Sequence, residues 1–408
     1  MGYSSCNYAD PKNPVLTGKL WEFVFNADGT IKEQLTFYAS GKLESKIIAG
    51  GDADGNEYYH YNDDTANSLS HKVLTEAQAL ITGTRAYYYE YDASGNKTKE
   101  EGYSACDYAD PKAPALSGRL WTWLYDADGI TILEKLTYYF DSQRVESKVI
   151  PAGDADGNEY YHFNNNADGT MSHKVLVTAE TDGTKAYYYE YDAGTGNKVK
   201  EEGYTACNYS NPSAPNFDTA TKVWTIIYDA ADGTTILEKY TFYASGNMET
   251  KIIPAGDSEV PSNEYYQFYD DATNPLKVKV LKTPAVDGTK AHYYEYDADW
   301  KKTKEVGYSS CNYADPKNPV LTGKLWEFVF NADGTIKEQL TFYASGKLES
   351  KIITGGDADG NEYYHFNDDT ANSLSHKVLT EAQALITGTR AYYYEYDAVT
   401  GKLAKEEG

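Results

Sequence analysis

The sequence predicts an all-β chain: tandem antiparallel β-hairpins, stacked as a solenoid or extended as one long twisted sheet. Three observations carry this. A unit of about 100 residues recurs four times. Each unit holds aromatic segments with strand alternation. Between the segments stand glycine turns of the kind that close hairpins.

The repeat sets the frame. Gly-Tyr-Ser-Ser-Cys-Asn-Tyr-Ala-Asp-Pro opens at Gly2 and returns at Gly307. Variants open at Gly102 and Gly203. Cysteine recurs as Cys6, Cys106, Cys207 and Cys311, and the Trp that follows as Trp21, Trp121, Trp224 and Trp326. Four copies follow, 1–102, 103–203, 204–307 and 308–408. The outer two are nearly identical, and the middle two have drifted. Aromatic segments near Tyr3, Trp21, Phe37, Tyr58 and Tyr87 suggest about five hairpins of about 20 residues per copy.

The elements follow from alternation and turn chemistry. In Trp21-Glu22-Phe23-Val24-Phe25, the aromatics fall on one face. Tyr87, Tyr89 and Tyr91 share a face, with Tyr88, Glu90 and Asp92 opposite. Asn26-Ala27-Asp28-Gly29, Tyr38-Ala39-Ser40-Gly41 and Asp92-Ala93-Ser94-Gly95 each suit a type I turn ending in a left-handed glycine bulge. Returning strands such as Lys97-Thr98-Lys99-Glu100 are rich in Lys and Glu, whose cross-strand pairs discourage edge-to-edge sticking. Thr75–Leu80, with Thr380–Leu385 in the last copy, fits one helical turn.

Composition narrows the function classes. Tyr numbers 41 against 12 Phe and 3 Met. Tyrosine buries its ring while its hydroxyl needs a partner, so it suits thin, half-exposed layers. The formal charge is −25, from 62 acidic and 37 basic residues. That opposes nucleic acid and anionic membranes as partners. No apolar run approaches the roughly 18 residues of a membrane span. The start at Met1-Gly2 has no signal-peptide pattern. The chain reads as a segment of a longer extracellular or cell-surface array.

Short motifs carry a family resemblance. Tyr88-Tyr89-Glu90-Tyr91-Asp92-Ala93-Ser94-Gly95-Asn96-Lys97 resembles the YD repeat of Rhs-type shell proteins. Phe37-Tyr38-Ala39-Ser40-Gly41-Lys42-Leu43 is similar to bacterial variant MORN repeats. The same pieces resemble the aromatic hairpins of cell-wall-binding repeats. All three families are stacked β-hairpins, so the resemblance implies that fold and a scaffold or binding role.

Four features are candidates for chemistry. The four cysteines contain no paired metal or redox spacing. Each reads either as a small half-buried residue or as one rung of a cross-linking or attachment ladder. Asp52, Asp54 and Glu57, with Asp154, Asp156 and Glu159 and with Asp357, Asp359 and Glu362, resemble half a calcium loop. The same residues also make good turns. His60 and His71 recur as His162 and His173 and as His365 and His376, but become Gln267 and Val278 in the third copy, which favours a structural role. Trp21, Trp121, Trp224 and Trp326 could form an aromatic binding face or serve as packing. No catalytic motif stands in context, so no enzyme is expected. Calcium is the one cofactor considered. The expected function is a non-catalytic repeat scaffold, stalk or shell segment. Two alternatives stand beside it: a carbohydrate or cell-wall binding module, and a self-assembling filament subunit whose partner is itself.

Overall fold

The computed structural model describes all residues except 51–54, 76–82, 108–114, 155–156, 182, 209–215, 255–263, 287, 313–318, 356–359, 381–387 and 389. The described residues form 29 β-strands and no helix. The all-β expectation holds. The helical turns expected at Thr75–Leu80 and Thr380–Leu385 lie, but for Thr75 and Thr380, outside the described residues. Both of those residues are strand ends.

Two compact units divide the chain. The first comprises Met1–Asn197 with Ala206–Thr219, the second Lys198–Thr205 with Ala220–Gly408. In the first unit the strands begin β1 (Gly2–Asn7), β2 (Val15–Phe25), β3 (Ile31–Phe37), β4 (Leu43–Ile48), β5 (Glu57–Tyr61), β6 (Leu69–Thr75), β7 (Ala86–Tyr91), β8 (Lys97–Asp107) and β9 (Ala115–Tyr125). Each pairs antiparallel with the next. Seven strands thus precede the one that enters the second copy, fewer than five two-stranded hairpins require. Phe37 ends a strand rather than starting one, because the turn at Tyr38–Gly41 follows it directly.

The turns have the expected chemistry. In Asn26–Thr30 the Gly29 amide donates to the Asn26 carbonyl at 3.1 Å, and the Asn26 amide donates to the Thr30 carbonyl at 2.8 Å. Gly29, Gly41 and Gly95 have φ of 84°, 86° and 85°, a region that costs glycine little. The register slips by one residue beside each turn, at Val24/Phe25, Thr36/Phe37 and Glu90/Tyr91. That slip is the bulge.

Register then builds the core. Ile47 stands opposite Tyr58, Tyr58 opposite Val73, and Val73 opposite Tyr88. Side chains on one face of a sheet line up in such rows across neighbouring strands. Ile47, Tyr58 and Val73 are buried, with Ala86 beside them. On the opposite face Lys46, Tyr59, Lys72 and Tyr89 line up in the same way. The Lys72 ammonium there sits 4.7 Å from the Tyr89 ring centre. One face is closed and apolar. The other is a half-exposed lattice of Tyr, Lys and Glu.

The row recurs in the first unit as Val149, Tyr160, Val175 and Tyr188. In the second unit it appears as Ile252, Tyr265, Val280 and Tyr293, and as Ile352, Tyr363, Val378 and Tyr393.

Candidate functional site

The boundary between copies falls inside a strand. β8 pairs with β7 over Lys97–Tyr103 and with β9 over Lys99–Asp107, so its last residues have only β9 beside them. At Gly102 the register shifts, and the remaining β8–β9 hairpin becomes an arm. Tyr103, Cys106 and Leu116 of this arm pack against Ile47, Tyr58, Val73 and Ala86. The second copy therefore seals the core of the first. Burying aromatic and aliphatic side chains in this way stabilises by about 1.5–3 kcal/mol each.

Two more junctions repeat the arrangement. Cys207 and Phe217 cover Val149, Tyr160 and Val175 in the first unit. Cys311 and Leu321 cover Ile252, Tyr265, Val278 and Val280 in the second. The third arm is less regular. Gly118 and Gly323, at φ 64°, face Ser104 and Ser309 so closely that an added Cβ would overlap the serine hydroxyls. Thr221 stands at that place in the third copy. There, among the described residues, the pairing beyond Tyr204–Lys222 comes down to the Thr205–Thr221 hydrogen bond and the bridge Asn208–Asn216.

A glycine and a tryptophan fix the base of each arm. Gly102 pairs across the ladder with Trp121 and Gly307 with Trp326. A Cβ on Gly102 would lie 2.2 Å from the indole Nε1, and one on Gly307 2.3 Å from it. The ring lies flat on the glycine backbone. Each indole N–H donates to a buried threonine: Trp121 to Thr84 at 3.3 Å, Trp326 to Thr289 at 3.1 Å. Trp121 also touches Tyr87 and Trp123, at ring separations of 6.1 and 5.0 Å. Trp121 and Trp326 therefore stand at the base of their arms, and Trp21 alone of the four is exposed.

A cation closes the other side. Arg119 stacks 4.1 Å from the Tyr138 ring centre and bonds Glu101 at 3.3 Å. Glu101 also accepts from Tyr103 at 2.8 Å and Thr122 at 3.0 Å. In the second unit Lys222 takes this place above Phe242 and bonds Glu202 at 2.6 Å. Burial alone would raise the Glu202 carboxyl. Hydrogen bonds from Lys222 and Tyr204 outweigh it and hold the pKa below the ordinary value. Lys324 lies above Phe342 and bonds Glu327 at 2.7 Å. Beside Arg119 is a groove of about 670 Å³ lined by Tyr138, Arg144, Lys148 and Phe163. Its cations are already engaged, Lys148 with Glu134 at 2.7 Å and Arg144 with the Asn166 carbonyl.

The other expected sites fare differently. All four cysteines are free thiols. Cys106, Cys207 and Cys311 belong to separate arms and lie half-buried, whereas Cys6 is exposed. Burial pushes the Cys207 thiol up to about 12. Of the acidic loops, Asp52, Asp54, Asp156, Asp357 and Asp359 lie outside the described residues, as does the side chain of Asp154. Glu57, Glu159 and Glu362 accept hydrogen bonds from Tyr59, Tyr161 and Tyr364 on their own strands. Among the described residues no three His, Cys, Asp or Glu gather as a metal site would require. His60 and His71 stand opposite each other and stack at 4.8 Å. His162 and His173 stack at 4.9 Å, and His365 and His376 lie tilted to each other at the same separation. Tyr58 and Tyr88 flank the first pair. Burial, with the second imidazole adding to it, drives His71 and His173 down to about 4.

Sequence reasoning singled out the Cys-bearing and Trp strands but not the partners beneath them. The repeated glycine before each arm was the available signal, since Gly102 and Gly307 sit in strand sequence where no turn needs them.

No protein-family model matches the sequence, and no curated protein matches it. Among solved structures, the chain is similar to the toxin complex TcdB2-TccC3-Cdc42 at 12% identity, covering 95% of this chain and 22% of that one, with a TM-score of 0.17. The Photorhabdus luminescens Tc holotoxin pore matches at 12% identity over 95% of this chain and 21% of that one, TM-score 0.16. A porin-like protein of Bacteroides uniformis matches at 10% over 61% of this chain and 92% of that one, TM-score 0.11. The chain spans about a fifth of the length of the two toxin chains.

Proposed function

We propose that the protein is a non-catalytic structural repeat, a stalk or shell segment of the YD-repeat kind, working at a cell surface or outside the cell. One observation carries this reading: the arms of the second, third and fourth copies each cover the core of the copy before them. The Trp121 and Trp326 indoles and the Cys106, Cys207 and Cys311 side chains are spent on those junctions. Such a chain gains length by adding copies, and its stability is close to a sum over neighbouring copies. A ligand site would have to differ from this pattern, and the tryptophans follow it.

The test is hydrogen exchange on the intact chain carrying Tyr160→Ala. Removing a buried Tyr side chain costs about 3–5 kcal/mol. Protection should fall in residues 103–203 and in the arm that covers them, and persist around Tyr58. In parallel the unaltered protein is applied to a glycan array. Uniform loss of protection along the chain, or glycan binding abolished by Trp224→Ala, would overturn the scaffold reading.

A further inference from the structure

One turn recurs in every copy, with a single change of side chain. It spans Asn62–Ser68, Asn164–Thr170, Tyr269–Pro275 and Asn367–Ser373. In each, the first amide donates to the last carbonyl at 2.8–2.9 Å. The sixth residue is left-handed in all four: Asn67 at φ 49°, Gly169 at 58°, Asn274 at 47° and Asn372 at 50°. The backbone is the same, so what differs in the second copy is the missing carboxamide.

That carboxamide ties two strands together. The Asn67 Oδ1 accepts from the Leu43 amide at 3.1 Å, and its Nδ2 donates to the carbonyls of Leu43 at 2.8 Å and Asn62 at 3.0 Å. Asn274 accepts from the Met248 amide at 3.1 Å. Asn372 donates to the Leu348 and Asn367 carbonyls at 2.8 and 3.0 Å. In the second copy Val145 stands at the place of Leu43. Gly169 brings it no side chain, and a Cβ added there would have nothing within 4 Å. The nearby amides go elsewhere, Asn166 to Thr170 at 2.8 Å and Asn165 to Asp141 at 2.9 Å. Among the described residues no side chain hydrogen-bonds Val145.

Other departures of the second copy meet at this place. Arg119 stands where the other copies have Lys, Tyr138 where they have Phe, and Arg144 where they have Lys or Asn. Gln143 stands where they have Gly, held at φ 59°. All four line the groove that Val145 and Gly169 also line. A side chain kept in the left-handed region is strained, and such strain gathers at functional sites. The groove does not ask for an anion. Arg119 is bonded to Glu101 and Lys148 to Glu134, and Arg144 donates to the Asn166 carbonyl. What it offers is backbone: the Val145 amide, the Val145 carbonyl and the Asn164 carbonyl.

We propose that this groove binds a primary carboxamide, which takes the place of the asparagine that the second copy lacks. Its oxygen accepts from the Val145 amide. Its two N–H groups donate to the carbonyls of Val145 and Asn164, as Asn67 does to Leu43 and Asn62. A carboxylate has no donor for the two carbonyls. A trans secondary amide holds its N–H and C=O on opposite sides, so it cannot answer all three groups. Leu136 and Phe163 also line the groove, which suits an apolar or aromatic body behind the amide. Two sources carry that group: the glutamine side chain of a peptide and a free aromatic amide. The site lies outside the junctions between copies, so it goes beyond the scaffold reading.

Nitrogen-15 NMR of the full chain, labelled at valine, tests this. The Val145 signal is identified by its loss in Val145→Ile. Benzamide and N-acetylglutamine methylamide serve as probes. Either should shift that signal, with a dissociation constant of about a millimolar, whereas benzoate and N,N-dimethylbenzamide should not. Gly169→Asn supplies the missing side chain and should weaken binding at least about tenfold. Asn67→Gly should open a second site, read at the Leu43 amide. Each variant copies a residue that another copy already carries in the same turn, so both should fold. A shift with benzamide alone would assign the site to a free amide, and a shift with the glutamine probe alone to a peptide. No shift with either probe would overturn the proposal. So would an equal shift with N,N-dimethylbenzamide, or one unchanged in Gly169→Asn.

Discussion

Trp300 shows what a single residue can cost. The turn Asp297–Lys301 has the hydrogen bonds of the turn at Asp92–Asn96, with the Trp300 amide donating to the Asp297 carbonyl at 3.1 Å. Gly95 fills that place in the first copy, but here Trp300 is held at φ 65°. A side chain in the left-handed region costs about 1–2 kcal/mol, and the indole is 54% exposed, so little packing offsets it. Trp300→Gly should raise stability by about 1 kcal/mol, read as a higher denaturation midpoint. Gly307→Ala should act in reverse. A methyl group there meets the Trp326 ring, and the overpacked ladder should lose about 1–3 kcal/mol. Histidine adds a pH term. His71 and His173 titrate near 4 when folded and near 6.5 when unfolded. The unfolded chain therefore binds more protons between those values. The stability contributed by the neutral rings is full above about pH 6.5 and is lost as pH falls towards about 4. His71→Val with His173→Val, which copies Val278 of the third copy, should lose less of its urea midpoint between neutral and acid pH than the parent. An equal loss would show that the carboxylates alone carry the acid response.

At the scale of elements, the arm explains why the cysteines differ. Three are pressed against rows of aromatic and aliphatic side chains, and one stands in water. A dilute thiol titration should therefore find Cys6 fast and the other three slow, Cys207 among them because burial suppresses its thiolate. Four equal rates would contradict the packing. Hairpin turns were legible in the sequence because their cause is local. An Asx residue followed by glycine at fixed spacing sets the left-handed position and hence the bulge. The facing of Tyr88 away from Tyr87 and Tyr89 was legible for the same reason, being a matter of alternation. Strand number was not. Phe37 looks like the start of a strand until the turn after it is placed, and strand bounds depend on partners that a local window does not contain. Nor was the destination of the arm legible. Cys106 meets Tyr58 across nearly fifty positions of chain, and only the bulge at Gly102 turns it there. The acidic loops stay as the sequence left them, since the side chains of all their aspartates lie outside the description.

Across the whole molecule, four copies share one solution to the same problem. A single layer of strands leaves one face open, and a chain rich in Tyr cannot close it with a thick core. The second, third and fourth copies instead each lend a hairpin to the copy before. The fourfold period and the polar returning strands were readable from the start, because they are properties of the residues themselves. The tryptophans read equally as a binding face or as packing. Placing Trp121 and Trp326 over a glycine, with the indole N–H bonded to a buried threonine, assigns these two to packing. A millimolar or better sugar ligand displaced by Trp121→Ala would contradict that assignment, and titration calorimetry with cell-wall oligosaccharides would reveal it.

The seam that runs through the middle of a strand has a genetic corollary. Crossing over between the identical stretches Gly2–Ile48 and Gly307–Ile353 joins one half-strand to another with the same Gly–Trp pair, the same bulge and the same arm. Gain or loss of copies by recombination would thus leave every surviving seam chemically intact. Variants of this array in a population should differ by whole copies, and alleles interrupted partway through one should be rare.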